Sequence, residues 1–304
     1  MVTIWYRAAV ALAAVLMTTA CGAATDLVES DPTDPTDSAS PTGPTASTSP
    51  TDPTTPTEPS PTTPTTPAVA EPKVGECRRT NPLLSALGGS LEVRQPVPCG
   101  DTHNAQTYFV GLMNEEAQAA ARNSNGQRLR SMVAGICGRK LTAWLGGSGE
   151  DVALSVFDFI VGAPGPEEIG PGVRWFSCDA YAIRAMNGLK LTALPRTTED
   201  ILSSSRAEAW SQCNRGGFGD GTTNIVVCSR SHSYRAVAGV HLGNLSANYP
   251  GSNNLQSRLE SDCTSRVRAY LNTTAGFNYG VTWPSRRQWN SGDRWGICYA
   301  QTSS

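Results

Sequence analysis

No stretch of this chain is apolar for long enough to cross a bilayer: the longest such run, Ala8–Met17, is ten residues, against the roughly 20 a spanning helix needs. Lys and Arg are missing altogether from Ala8 through Pro72, and elsewhere they form no block of the kind that tracks a phosphate backbone, which excludes a nucleic-acid partner. Histidine occurs three times, at His103, His232 and His241, and each Cys-x-x-x-His element offers only one imidazole. A Gly-x-Ser-x-Gly nucleophile elbow is also absent. The nearest approach, "LGGSGE" from Leu145, has Glu150 in the last glycine position and reads as a helix stop. No phosphate-binding glycine loop occurs. These gaps leave no catalytic residue, cofactor or metal to name.

What is present falls into three parts. Residues 1–20 combine one positive charge at Arg7, the ten-residue apolar run and the small residues Thr18-Thr19-Ala20, the pattern of a secretory signal peptide. Small residues directly before Cys21 resemble the processing box of bacterial lipoproteins. That resemblance implies acylation of Cys21 and a mature chain held on the extracytoplasmic face of the membrane; without acylation the product is secreted. Residues 21–71 then change in composition. Twelve of the 21 prolines lie between Pro32 and Pro72 among Thr, Ser and Asp, and eight acidic residues sit between Ala8 and Pro72. Such a tract cannot bury enough apolar surface to offset its conformational entropy, so it is expected to be a disordered linker. In polyproline II, at about 3.1 Å per residue, some 40 residues would reach on the order of 120 Å. From Lys73 to Ser304 there are 23 basic and 18 acidic residues, so this part is mildly basic.

Eight further cysteines, Cys77, Cys99, Cys137, Cys178, Cys213, Cys228, Cys263 and Cys298, make an even number in an exported chain, which implies disulfides. Four fall in each half, and the halves match by their punctuation. Cys99-x-x-x-His103 corresponds to Cys228-x-x-x-His232. Leu129, Val133, Cys137, Leu141 and Trp144 share one helical face, and Leu255, Leu259, Cys263, Val267 and Tyr270 recur at the same spacing. Phe157-x-Phe159-x-Val161 and Phe277-x-Tyr279-x-Val281 alternate as half-buried strands do. Pro164 and Pro284 follow, then Arg174-Trp175 and Arg294-Trp295, then Cys178 and Cys298. The sequence is a tandem duplication.

A helix cysteine facing inward meets a cysteine on the last strand if that strand packs beneath the helix. This pairs Cys137 with Cys178 and Cys263 with Cys298, leaving Cys77–Cys99 and Cys213–Cys228. Gly172 and Gly292 permit a turn into the last strand. The expected fold is α+β, with two tandem related domains at residues 72–196 and 206–301 and their boundary within Leu194–Trp210. Each is a small antiparallel sheet of three to five strands with a covering helix and two disulfides.

"VGEC" at Val74, "VPCGDTHNAQTYFVG" at Val97 and "GVRWFSCDAYA" at Gly172 resemble the septum-formation-related domain of actinobacterial exported proteins. "VCSRSHSYRAVAGV" at Val227 and "GDRWGICYA" at Gly292 look like a second, degenerate copy. The resemblance implies an envelope location and an association with division or wall growth, and implies no catalytic mechanism.

Binding is the better expectation. "WPSRRQWNSGDRW", Trp283–Trp295, holds three tryptophans and three arginines. Trp283, Arg286, Arg287 and Trp289 are candidates for an exposed surface that stacks on a wall glycan or anchors an envelope protein, whereas Trp175 and Trp295 are expected in the core. Cys-x-x-x-His invites zinc, but oxidised cysteines cannot ligate it. His103 and His232 are expected to bond to backbone at a turn. The rival readings are a wall-directed hydrolase using His103 and Asp101, although Arg230 replaces Asp101 in the second copy, and a sensor ectodomain.

Overall fold

In a computed structural model, which describes residues 70–80, 95–186, 189–218, 223–244 and 247–302, the two copies share five strands and one long helix in the same order. The leader, Cys21 and the tract up to residue 69 lie outside the described residues. The first copy contains β1 (Cys77–Arg78), β2 (Pro96–Val97), β3 (Ala105–Leu112), α1 (Glu115–Arg122), α2 (Gly126–Leu145), α3 (Gly149–Ala153), β4 (Phe157–Gly162) and β5 (Trp175–Ala185). A short strand, β6 (Lys190–Leu191), folds back on β5. The second copy contains β7 (Gln212–Asn214), β8 (Ile225–Val227), β9 (Tyr234–His241), α4 (Ser252–Leu271), β10 (Tyr279–Thr282), α5 (Arg286–Asn290) and β11 (Trp295–Gln301).

Strand order is β4-β5-β3-β1-β2 in the first copy and β10-β11-β9-β7-β8 in the second, with every pair antiparallel. The last residue of β5, Ala185, pairs with Val226 of β8, so one sheet runs through both copies. The described residues fall in one compact unit. The connecting segment is packed rather than slack: Leu194, Thr198 and Ile201 are buried, and Trp210 lies 4.9 Å from the Phe157 ring.

Both long helices are 20 residues. Asn125 caps α2 by accepting from the Arg128 N–H, and Gly146 ends it in the left-handed conformation that glycine adopts without strain. The apolar stripes face the sheet: Leu129, Val133, Cys137 and Leu141 are buried from α2, and Leu255, Leu259, Cys263 and Val267 from α4. Cys137–Cys178 fastens α2 to β5 and Cys263–Cys298 fastens α4 to β11, while Cys77–Cys99 and Cys213–Cys228 close the entry to each copy. These are the four pairs reasoned from the spacing.

The two cores fill the same space differently. Gly111 on β3 faces Phe176 on β5, whereas Val240 on β9 faces Gly296 on β11. A β-carbon on Gly111 would lie 2.7 Å from the Phe176 ring, and one on Gly296 would lie 2.3 Å from Leu259. Each pair needs one glycine, on opposite strands, because an interior packed to crystal density has no room for two side chains there.

Two helices of the first copy, α1 and α3, have no counterpart in the second. Helix α3, closed by a Ser148–Asp151 capping box, lies against the face of the second sheet that α4 leaves uncovered. The Glu150 carboxylate accepts from the Gly239 N–H at 2.8 Å, on the stretch of β9 beyond its pairing with β7. Gly149 lies against Trp295, and Ala153 and Leu154 pack with Ala236, Ile297, Tyr299 and Phe218. Backbone bonds from Gln212 to Leu154 and from Val156 to Trp210, each 2.9 Å, fix the crossing.

Candidate functional site

The aromatic and arginine-rich stretch runs from the end of β10 through α5 into β11. Ser285 caps α5, accepting from the Gln288 N–H while Gln288 accepts from the Ser285 N–H at 2.9 Å. That cap turns Trp289 inward. Trp289 is 2% exposed, and its indole N–H donates to the Ala247 carbonyl at 2.8 Å. The expectation of an exposed Trp289 is therefore corrected: a satisfied N–H lets the whole ring enter the core.

Around Trp289 the side chains form an alternating stack. The Arg294 guanidinium lies 4.0 Å from its ring centroid, the Tyr249 ring meets it edge-on at 5.9 Å, and Arg286 lies 4.9 Å from the Tyr249 ring. Arg294 is buried and donates to the carbonyl oxygens of Asn244, Trp289 and Asp293. Arg286 and Arg287 are exposed, Trp283 is half-buried against the α4 core, Trp175 is buried and Trp295 is half-buried under α3. Of the four candidate binding residues, the two arginines form the solvent-facing part.

The histidines of the two Cys-x-x-x-His elements adopt the same local geometry. His103 Nδ1 lies 2.8 Å from the Asp101 carbonyl, and His232 Nδ1 lies 2.8 Å from the Arg230 carbonyl. His103 is 1% exposed, and its Nε2 lies 3.1 Å from the Pro195 carbonyl, tying the turn to the inter-copy connector. The Asp101 side chain is exposed; what meets the imidazole is its backbone oxygen. Among the described residues no group of three or more His, Cys, Asp or Glu comes together to hold a metal, and no helix is long and apolar enough to cross a membrane.

Charge gathers instead where the copies diverge. Arg130 on α2 donates to the Asp158 carboxylate at 3.1 Å and lies 4.1 Å from the Phe159 ring, and the Tyr181 hydroxyl donates to Asp158 at 3.0 Å. Burial, with the Asp158 charge adding to it, holds the Tyr181 hydroxyl well above the ordinary tyrosine range. In the second copy the matching bond is neutral, Asn278 donating to Gln301 at 2.7 Å. Asp293, from the second copy, lies in the same field. Burial pushes its carboxyl up to about 6; Asp158 adds to the rise, while the Trp295 N–H, Arg130 and Arg294 oppose it.

A second divergence lies on the sheet face of the first copy that points away from α2. Ser177, Asp179 and Thr107 are buried there beside Arg78, which donates to Thr107 at 3.3 Å and is paired with Glu76. The same strand positions carry Ile297, Tyr299 and Ala236 in the second copy, under α3. Asp179 is 4% exposed, and its Oδ1 has no hydrogen-bond partner among the described residues. Burial holds the carboxyl above the ordinary range, with the Thr107 and Ser177 hydroxyls and Arg78 offsetting only part of the rise. Sequence reasoning missed Asp179 and the Arg130–Asp158–Tyr181 group. The signal available was the comparison of copies, in which Ser177-x-Asp179 replaces Ile297-x-Tyr299 in a strand buried on both faces.

A family model described as septum formation matches residues 74–279 and again 246–304. The chain belongs to the septum-formation family. Together the two matches span the described fold from Val74 onward, and the second covers α4, β10 and β11, which duplicate α2, β4 and β5, together with α5. Septum-formation membership thus extends across both copies, and it links the chain to septum formation. No curated protein and no solved structure matches this chain.

Proposed function

We propose that this member of the septum-formation family is a cell-envelope lipoprotein, anchored through Cys21, that acts in septation or wall growth as a non-catalytic binding module. Its partner is a wall glycan or an envelope protein. The observation that carries the reading is the family match across both copies. Four disulfides support an extracytoplasmic setting, because such bridges persist in oxidising compartments. His103 is buried, and whichever ring nitrogen carries the proton has a backbone carbonyl to donate to, Asp101 or Pro195, which supports a role in holding the turn over proton transfer, as does the pairing of all eight cysteines of the fold, which leaves no thiolate nucleophile. The exposed Arg286 over Tyr249 supplies a stacking platform.

The test is to follow a full-length fusion, carrying a tag that fluoresces outside the cytoplasm, through division, and to delete the gene. Enrichment at septa with delayed or misplaced septa on deletion is the expected outcome. Even distribution around the cell, with normal division after deletion, refutes the septal role. Cys21→Ala should lose lipid label and release the chain from the membrane fraction; retention there refutes the anchor.

A further inference from the structure

Where the outward side of α2 meets the turn between α5 and β11, the surface closes into a pocket of about 230 Å³. Ser131, Met132, Ile136 and Arg139 line it from the first copy, and Asn290 and Arg294 from the second. Gly135 and Gly292 complete the lining and leave backbone open to close approach. The pocket exists only because the two copies pack together; neither contains it alone.

Its chemistry is one-sided. Two arginines and no carboxylate are among the lining residues, which favours an anion. Asp293 lies between Gly292 and Arg294 in sequence, but its carboxylate accepts from the Trp295 N–H at 3.0 Å. The Arg294 donors Nε and Nη1 go to carbonyl oxygens, so this residue supplies charge more than grip. Arg139 is exposed and makes no hydrogen bond or ion pair among the described residues, so its fork of donors is open to a ligand. Beside it, Ile136 is 38% exposed and Met132 half-buried, an apolar wall turned toward solvent.

Comparison of the two long helices sharpens the point. Where α2 has Met132, Gly135, Ile136 and Arg139, the matching positions of α4 are Arg258, Ser261, Asp262 and Ser265. The second helix presents an ordinary polar face. The first presents small and apolar side chains ending in one unengaged guanidinium.

We propose that this pocket binds a small carboxylate carried on a short apolar group, the chemistry shared by the C-terminal residue of a peptide and by an acidic sugar with a lactyl side chain. Arg139 holds the carboxylate through paired donors, and Met132 and Ile136 take the alkyl group. A phosphate asks for several donors at once, whereas one open guanidinium beside an apolar wall suits a singly charged carboxylate. The volume is below the roughly 300–1,000 Å³ of sites for drug-sized ligands, so the site takes one ring or the end of a chain. The proposal rests on the binding-module reading and names its ligand class.

The test titrates the purified full-length chain, by calorimetry or by ligand-observed NMR, with four probes: alanyl-alanine, N-acetylmuramic acid, neutral N-acetylglucosamine and inorganic phosphate. At least one carboxylate probe is expected to saturate with a dissociation constant on the order of 1 mM, and the neutral sugar and phosphate to bind more weakly. Which carboxylate binds assigns the source. Arg139→Ala should weaken that binding about tenfold or more with no change in melting temperature, Ile136→Glu should weaken it too, and Arg206→Ala, at an exposed arginine outside the pocket, should leave it unaltered. No saturable carboxylate binding, phosphate bound in preference, or unchanged binding in Arg139→Ala overturns the proposal. If isolated cell wall is still retained by a chain that binds neither carboxylate, the pocket assignment fails and the binding-module reading stands. If neither wall nor envelope protein is retained, both fail.

Discussion

The replacement of Asp293 by asparagine tests the electrostatics of the region where the copies meet. Burial raises this carboxyl from 3.8 to about 6, and the Asp158 charge adds to the effect. Two units correspond to about 3 kcal/mol at 1.36 kcal/mol per unit. The sign follows from linkage: the folded chain holds the proton more tightly than the unfolded chain. The favourable contribution is therefore complete below about pH 4 and is lost as the pH rises through 6. At pH 7.5 the ionised side chain works against the fold by up to about 3 kcal/mol, and the attraction of Arg130 and Arg294 is already included in the shift. Asp293→Asn keeps an oxygen for the Trp295 N–H, which Asp293 accepts at 3.0 Å, and removes the charge. Urea unfolding of both chains at fixed ionic strength from pH 4 to pH 7.5 should show similar stability at the acid end. The variant should gain over the native chain as the pH rises. A difference that does not change with pH, or a variant less stable at pH 7.5, refutes the reasoning.

Two further perturbations separate fold from surface. Cys137–Cys178 closes a separation of 41 residues and Cys213–Cys228 one of 15. Loop-closure entropy gives about 4 and about 3 kcal/mol respectively. The double alanine variant of the first pair should therefore lose more stability in urea than that of the second; the reverse order counts against the entropic account. Trp289→Ala should cost about 3–5 kcal/mol, since it empties a fully packed aromatic site and strands the Arg294 guanidinium beneath it. Arg286→Ala should fall within about 0.5 kcal/mol of the native chain by the same measurement; comparable losses in the two variants would mean that the ladder is not layered from core to solvent.

Much of the fold is legible in the residues because it depends on short-range periodicity. Leu129 to Trp144 repeats at helical spacing, Phe157 to Val161 alternates, and the second copy repeats both. The bridges follow, since a cysteine in mid-stripe has to point at the sheet. The surface assignment failed at Trp289 for an instructive reason. Its counterpart in the first copy, Ile169, is buried, so the aligned position was apolar and interior in both copies. Three nearby arginines drew the reading outward, yet one of them, Arg294, is itself interior because its donors find three carbonyl oxygens. The approach of Asp293 to Arg130 and Asp158 could not be read from sequence, since it depends on how the copies pack. The residues of α3 were visible as extra length in the first copy. Nothing local says that they serve the neighbouring sheet.

The position of α3 makes the second sheet incomplete without the first copy. Glu150, Ala153 and Leu154 leave the ribosome before any strand of the second sheet, and they belong to the copy that can close its own bridges first. Gly239 has its acceptor and Tyr299 its apolar bed in residues that the first copy supplies. The second copy depends on the first for the short helix that covers the outer face of its sheet. A gene that lost its leading half would not keep a smaller version of this protein; it would keep a sheet with one side open to water.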